Sequence, residues 1–136
     1  MGAVMTPSPA GRPRPAVLQL PAAAASVPLA RRHVAAVVEQ LDLGDFADTA
    51  ALVVSELVTN AVRHAGTELQ LTVVADGDVV RIEVEDGSAT LPQSRISGLY
   101  DAGGRGLPLV EALADRWGSE STSTGKLVWA ELDTSG

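Results

Sequence analysis

The sequence predicts an α+β fold in two layers, with a mixed and mostly antiparallel sheet covered on one face by helices. Three observations carry that expectation. Apolar residues recur at helical spacing in two successive segments between Ser26 and His64. Two β-rich runs, 69–74 and 79–84, are separated by an Asp-Gly turn signal. A third helical segment then leads into two further strand-like runs at 117–122 and 127–132. The chain has 136 residues, enough for one domain with a real core and too few for two.

Taken in order, residues 1–14 combine Pro, Gly, Ser and Arg without apolar periodicity. They cannot bury enough surface to offset the entropy of ordering, and read as a disordered tail ahead of a domain over 15–134. Residues 16–20 alternate weakly and stop at Pro21, as a short edge strand would. Ser26 can cap a helix carrying Pro28 in its first turn and Leu29, Val34, Val37, Val38 and Leu41 along one side, ended by Gly44. A second helix starts near Asp45 or Asp48 and runs to His64, with Gly66 as its C-terminal cap. It is apolar almost all round and so should be central. After the hairpin, Glu85-Asp86-Gly87-Ser88 opens a long loop over 89–103 that contains Pro92, Gly98 and Gly103. Loops of this length usually act as lids or linkers. A glycine-opened helix follows over 104–115, with Pro108 in its first turn, and the chain closes on a hairpin around Gly125.

Composition excludes several functions. No run of about 18 apolar residues is present, so a membrane span is not expected, and the N-terminus lacks a secretory pattern. A cytoplasmic location is the expectation. With no cysteine and only His33 and His64, a zinc site is not expected. A net charge of −7 with scattered basic residues, and only 3% aromatics, argues against direct binding of nucleic acid.

Three features bear on chemistry. Glu56 and Asn60 lie four residues apart, one turn along the same helix face, with His64 a further turn on. Polar groups on an otherwise apolar helix need a partner, unless the stripe is simply its wet face. Asp86 ends a β-branched strand at the rim of the sheet, although Asp-Gly is also a common turn. Gly103-Gly104-Arg105-Gly106 opens a helix, and bare backbone N–H groups at the positive end of a helix dipole suit a phosphate. The alternative there is a flexible hinge.

The conjunction, in this order, resembles the GHKL ATPases. The segment from Glu56 to Ala65 looks like their N-box, while the Asp86 segment and Gly104-Arg105-Gly106-Leu107 look like their two glycine boxes. That resemblance implies a GHKL-type α/β sandwich binding ATP with Mg²⁺. Asn60 would ligate the metal, Glu56 would act as catalytic base, and Asp86 would accept a hydrogen bond from the adenine amino group. Gly104, Arg105, Gly106 and Leu107 would hold phosphates, and Arg63 and His64 would reach toward them, with surface charge and helix capping as equally good readings. Ser88 would lie beneath the base, where the family pattern Asp-x-Gly has glycine. The closing Gly-Thr of many members appears here as Thr124-Gly125-Lys126, and no role is carried onto it.

Within that superfamily the sequence is most similar to anti-sigma-factor serine/threonine kinases, since 136 residues leave no room for a phosphoacceptor hairpin or a transducer domain. The similarity implies two protein partners, a sigma factor that is sequestered and an anti-sigma antagonist that is phosphorylated, and it admits a homodimer. A nucleotide-responsive binding module without kinase activity is the runner-up reading.

Overall fold

The computed structural model describes residues 15–64, 66–87 and 106–135. In chain order these form β1 (Ala16–Leu20), α1 (Ser26–Gln40), a 3₁₀ turn (Gly44–Phe46), α2 (Ala47–His64), β2 (Leu69–Asp76), β3 (Val79–Asp86), α3 (Gly106–Leu113), β4 (Arg116–Ser121) and β5 (Lys126–Asp133). The tail over 1–14, Ser88, the loop over 89–103, Gly104 and Arg105 lie outside the described residues.

The strands form one sheet in the order β1-β2-β3-β5-β4. The helix-on-sheet α+β arrangement read from the sequence is the observed one, and all four ladders in it are antiparallel. Hairpins β2-β3 and β4-β5 account for two of these ladders. The connection through α3 and β4 brings β5 back beside β3.

One face of the sheet is apolar and faces the helices. Leu69, Leu71 and Val73 of β2, Val80, Ile82 and Val84 of β3, and Val128, Ala130 and Leu132 of β5 are all buried. Against them lie Ala30, Val34 and Val38 of α1 and Ala50, Val53, Val54, Leu57, Val58 and Ala61 of α2. Helix α2 packs on both α1 and α3 and on the sheet, which explains its nearly continuous apolar surface. Its valines are mediocre helix formers, at a cost of a few tenths of a kcal/mol each, but burying each side chain returns roughly 1.5–3 kcal/mol. Packing therefore decides the helix.

Strand ends shift by one or two residues and α3 stops at Leu113 rather than 115, and two helix ends are closed differently from the sequence reading. Ser26 makes no capping bond, because it is the first helical residue after Ala25. Its fully buried hydroxyl instead donates to the Pro21 carbonyl at 2.6 Å, tying the entry of α1 to the end of β1. Gly44 does not end α1 either; the chain turns earlier, at Asp42, whose φ is 63°. The Leu43 N–H then returns to the Val38 carbonyl at 2.9 Å, the closing pattern of a left-handed helix terminus. Gly66, at φ 72°, and Gly77, at φ 63° in the β2-β3 turn, take the left-handed positions read from sequence.

The outer face of the sheet is polar. Arg81 donates to Glu83 at 2.6 Å and to Glu131 at 2.9 Å, Arg116 donates to Glu131 at 2.7 Å, and the Arg81 guanidinium sits 4.3 Å from the centre of the Trp129 ring. No helix among the described residues is long and apolar enough to cross a membrane.

Candidate functional site

Asn60 and Asp86, both singled out from sequence, lie toward one end of the sandwich. Only the connection 65–68 separates α2 from β2, and Leu69 at the start of β2 pairs with Asp86 at the end of β3. A direct bond reinforces this, since the Gly87 N–H donates to the Thr67 hydroxyl at 2.9 Å. The C-terminal half of α2, with Asn60, and the end of β3, with Asp86, therefore share the same edge.

Asn60 is only 3% exposed, and its Oδ1 is buried with no hydrogen-bond partner among the described residues. A buried amide oxygen left unsatisfied costs about 1–3 kcal/mol, so its persistence needs a reason. An oxygen donor held in place on a packed helix suits a hard cation such as Mg²⁺, which takes few protein ligands and keeps water and phosphate oxygens for the rest of its shell. One turn earlier, Glu56 is half-buried on the same face. Arg63 and His64 are exposed in the last turn.

Asp86 continues the inward alternation of Val80, Ile82 and Val84, and is 3% exposed. A carboxylate in that position belongs to the helix-covered side of the sheet rather than to a solvated turn. Its cross-strand neighbour is Lys126, the first residue of β5, which is 8% exposed. Sequence reasoning gave Lys126 no role. The signal was present in the inward alternation of Val128, Ala130 and Leu132, which extends back by one step to Lys126.

Gly125 shapes this corner. A Cβ placed there would lie 1.9 Å from the Asp86 carbonyl oxygen and 2.9 Å from the Gly87 Cα, so only glycine lets the two strands meet. Thr122 holds the turn, accepting from the Gly125 N–H at 2.8 Å while its own N–H donates to the Gly125 carbonyl at 2.8 Å. A shallow polar groove of about 190 Å³ lies at the same end, but Gln19, Gln70 and Glu85 on its wall belong to the outer face of the sheet. Leu69, Asp86, Gly87 and Thr124 line it too, so it reaches the corner that holds Asp86, while Asn60 is not part of its wall.

Helix α3 begins at Gly106, and a two-residue link joins its other end to β4. Gly106 and Leu107 thus open a helix packed on α2, as the sequence indicated. Ser88, Gly104 and Arg105, the remaining residues of the expected site, lie outside the described residues.

The profile of the family described as "Histidine kinase-like ATPase domain" matches residues 20–132. The chain belongs to the histidine kinase-like ATPase domain family. The fold is similar to that of the histidine kinase domain of the blue-light activated histidine kinase of Erythrobacter litoralis EL346. The two align with a TM-score of 0.54 and 24% identity, over 85% of this chain and 62% of that one. The likeness is one of fold, and this chain spans less than two thirds of that kinase domain. No curated protein matches the sequence. The family implies ATP as ligand, and Asn60, Asp86 and the start of α3 lie on the elements that enclose the candidate site.

Proposed function

We propose that the chain binds Mg-ATP at the corner formed by α2, the end of β3 and the start of α3, and acts as an anti-sigma regulatory kinase. In this reading it phosphorylates a serine or threonine of an antagonist protein and sequesters a sigma factor. The observation that carries the nucleotide site is the buried Oδ1 of Asn60, which has no hydrogen-bond partner among the described residues, on a helix whose other apolar residues are packed. The kinase assignment is supported by the Glu56-x-x-x-Asn60 spacing and by the resemblance of residues 104–110 to the anti-sigma kinases.

Each residue then has one task. Asn60 offers its oxygen to Mg²⁺, and that ion, when bound, neutralises charge on the phosphates. The backbone N–H groups opening α3 face the phosphate chain. Asp86 accepts a hydrogen bond from the exocyclic amine of the base. Glu56 accepts the proton of the attacking hydroxyl as the oxygen–phosphorus bond forms, the bond between the γ-phosphorus and the β,γ-bridging oxygen breaks, and ADP leaves.

The test is isothermal titration of the purified chain with Mg-ATP, followed by transfer of labelled phosphate to a co-purifying protein. Glu56→Ala should keep nucleotide binding and lose transfer by a factor on the order of 10² to 10⁴. Binding of Mg-ATP by a wild type that transfers phosphate to no protein it binds would replace the kinase with a nucleotide-dependent binding module. Failure to bind any nucleotide would remove both.

A further inference from the structure

Lys126 sits where a lysine is costly. It is only 8% exposed, and it begins β5 on the helix-covered face. Its Cα pairs with that of Asp86 across the β3-β5 ladder, a placement that holds the two Cβ atoms about 4.5–5.5 Å apart. The ordinary explanation of such a lysine is an ion pair, yet the ion pairs of Arg81 and Arg116 with Glu83 and Glu131 lie on the outer face and do not include it. The side chain of Lys126 makes neither an ion pair nor a hydrogen bond to another described residue.

The position is also fixed. Gly125 lets β5 run against the Asp86 carbonyl so closely that no side chain fits between them, and Thr122 pins the turn before it. A largely buried lysine is therefore presented beside a buried carboxylate, at a site that the preceding reading gives to a purine base. Adenine offers a complementary pair on one edge: the exocyclic amine donates, and the adjacent ring nitrogen N1 accepts.

We propose that Lys126 is a specificity-determining residue, donating to N1 of the adenine ring while Asp86 accepts from the neighbouring amine. This inference rests on the nucleotide reading and extends it. Asp86 alone selects for an amine, and so accepts any base carrying one at that point. Addition of a buried donor demands an acceptor immediately beside the amine, because a base without one leaves the ammonium desolvated and unpaired.

The experiment measures dissociation constants of the full chain for Mg-ATP, Mg-1-deaza-ATP, in which a C–H replaces N1, and Mg-7-deaza-ATP, which retains N1. Wild type should bind 1-deaza-ATP roughly ten- to hundredfold more weakly than ATP, the loss of one hydrogen bond from a charged donor. Its affinity for 7-deaza-ATP should stay within a few-fold of that for ATP. Lys126→Met, which keeps the aliphatic stem and the volume, should bind ATP about as weakly as wild type binds 1-deaza-ATP and should no longer distinguish the two ligands. Circular dichroism checks its fold, and the wild-type comparison requires no substitution at all. Equal binding of ATP and 1-deaza-ATP by wild type would overturn the role of Lys126 while leaving the nucleotide site standing. An equal 1-deaza loss in wild type and Lys126→Met would do the same. Absence of ATP binding by wild type would overturn the nucleotide reading and this inference with it.

Discussion

Asn60 is the residue on which the site turns, and its burial separates two effects that a surface ligand would confuse. Asn60→Ala removes an oxygen that is unsatisfied in the ligand-free protein, so it should leave thermal stability unchanged or slightly higher without nucleotide. With Mg-ATP at a hundred times the wild-type dissociation constant, wild type should gain about 2.7 kcal/mol and the variant almost nothing. Paired thermal melts with and without Mg-ATP measure both. A large loss of stability in the ligand-free variant would mean that Asn60 is core packing. Asp42 offers a second test at this scale. An L-residue in the left-handed region is strained, asparagine and aspartate less than most, so Asp42→Gly should raise stability by roughly 0.5–1 kcal/mol in denaturant melts.

The turn from β4 into β5 is the element on which the site most depends. Its strands are held by ordinary antiparallel pairing, but the approach of Gly125 to Asp86 leaves no room for a methyl group. The neighbouring atoms are backbone rather than flexible side chain, so the strands themselves would have to part. Gly125→Ala should therefore cost at least about 3 kcal/mol and lower Tm by roughly 10 °C. It should also weaken nucleotide binding, because both Asp86 and Lys126 are carried on the strands that part. An unchanged Tm would show that the two strands do not meet as described.

Across the whole molecule, the two faces of the sheet divide the work. The inner face supplies the core and the candidate site, while the outer face carries Arg81, Arg116, Glu83 and Glu131 in one network beside Trp129. The hydrogen bond from Arg116, opposed by partial burial and helped by Arg81, holds the Glu131 carboxyl below the usual carboxylate range. A lowered folded pKa contributes stability that is present above the unfolded value of about 4.3 and is lost as pH falls through the folded value. Glu131→Gln should thus lower stability at pH 7 by about 1 kcal/mol, the scale of a partly exposed pair. The gap from wild type should close as both are acidified below about pH 4. A gap independent of pH in chemical denaturation would show that the charge of Glu131 contributes nothing.

Periodicity and turn chemistry made most of the architecture legible: the apolar stripe of α2, the Asp-Gly hairpin after β2 and the glycine that opens α3 are local signals, and local sterics govern them. Glu56 and Asn60 could be placed on one helix face by counting alone. Tertiary structure decided what counting could not. Ser26 reads as a cap in sequence, but its hydroxyl goes to Pro21 because the packing of α1 on the sheet buries it. Asp86 taken alone reads better as a turn, and only the pairing of β3 with β2 and β5 shows its carboxylate on the covered face. Alternation along β5 puts Lys126 on the covered face, but does not by itself put it beside Asp86. Residues 86 and 126 are 40 apart in the chain, and nothing in either neighbourhood reports that two strands cross-pair there; burial and charge are properties of the assembled sheet, and they appear only when β5 docks against β3.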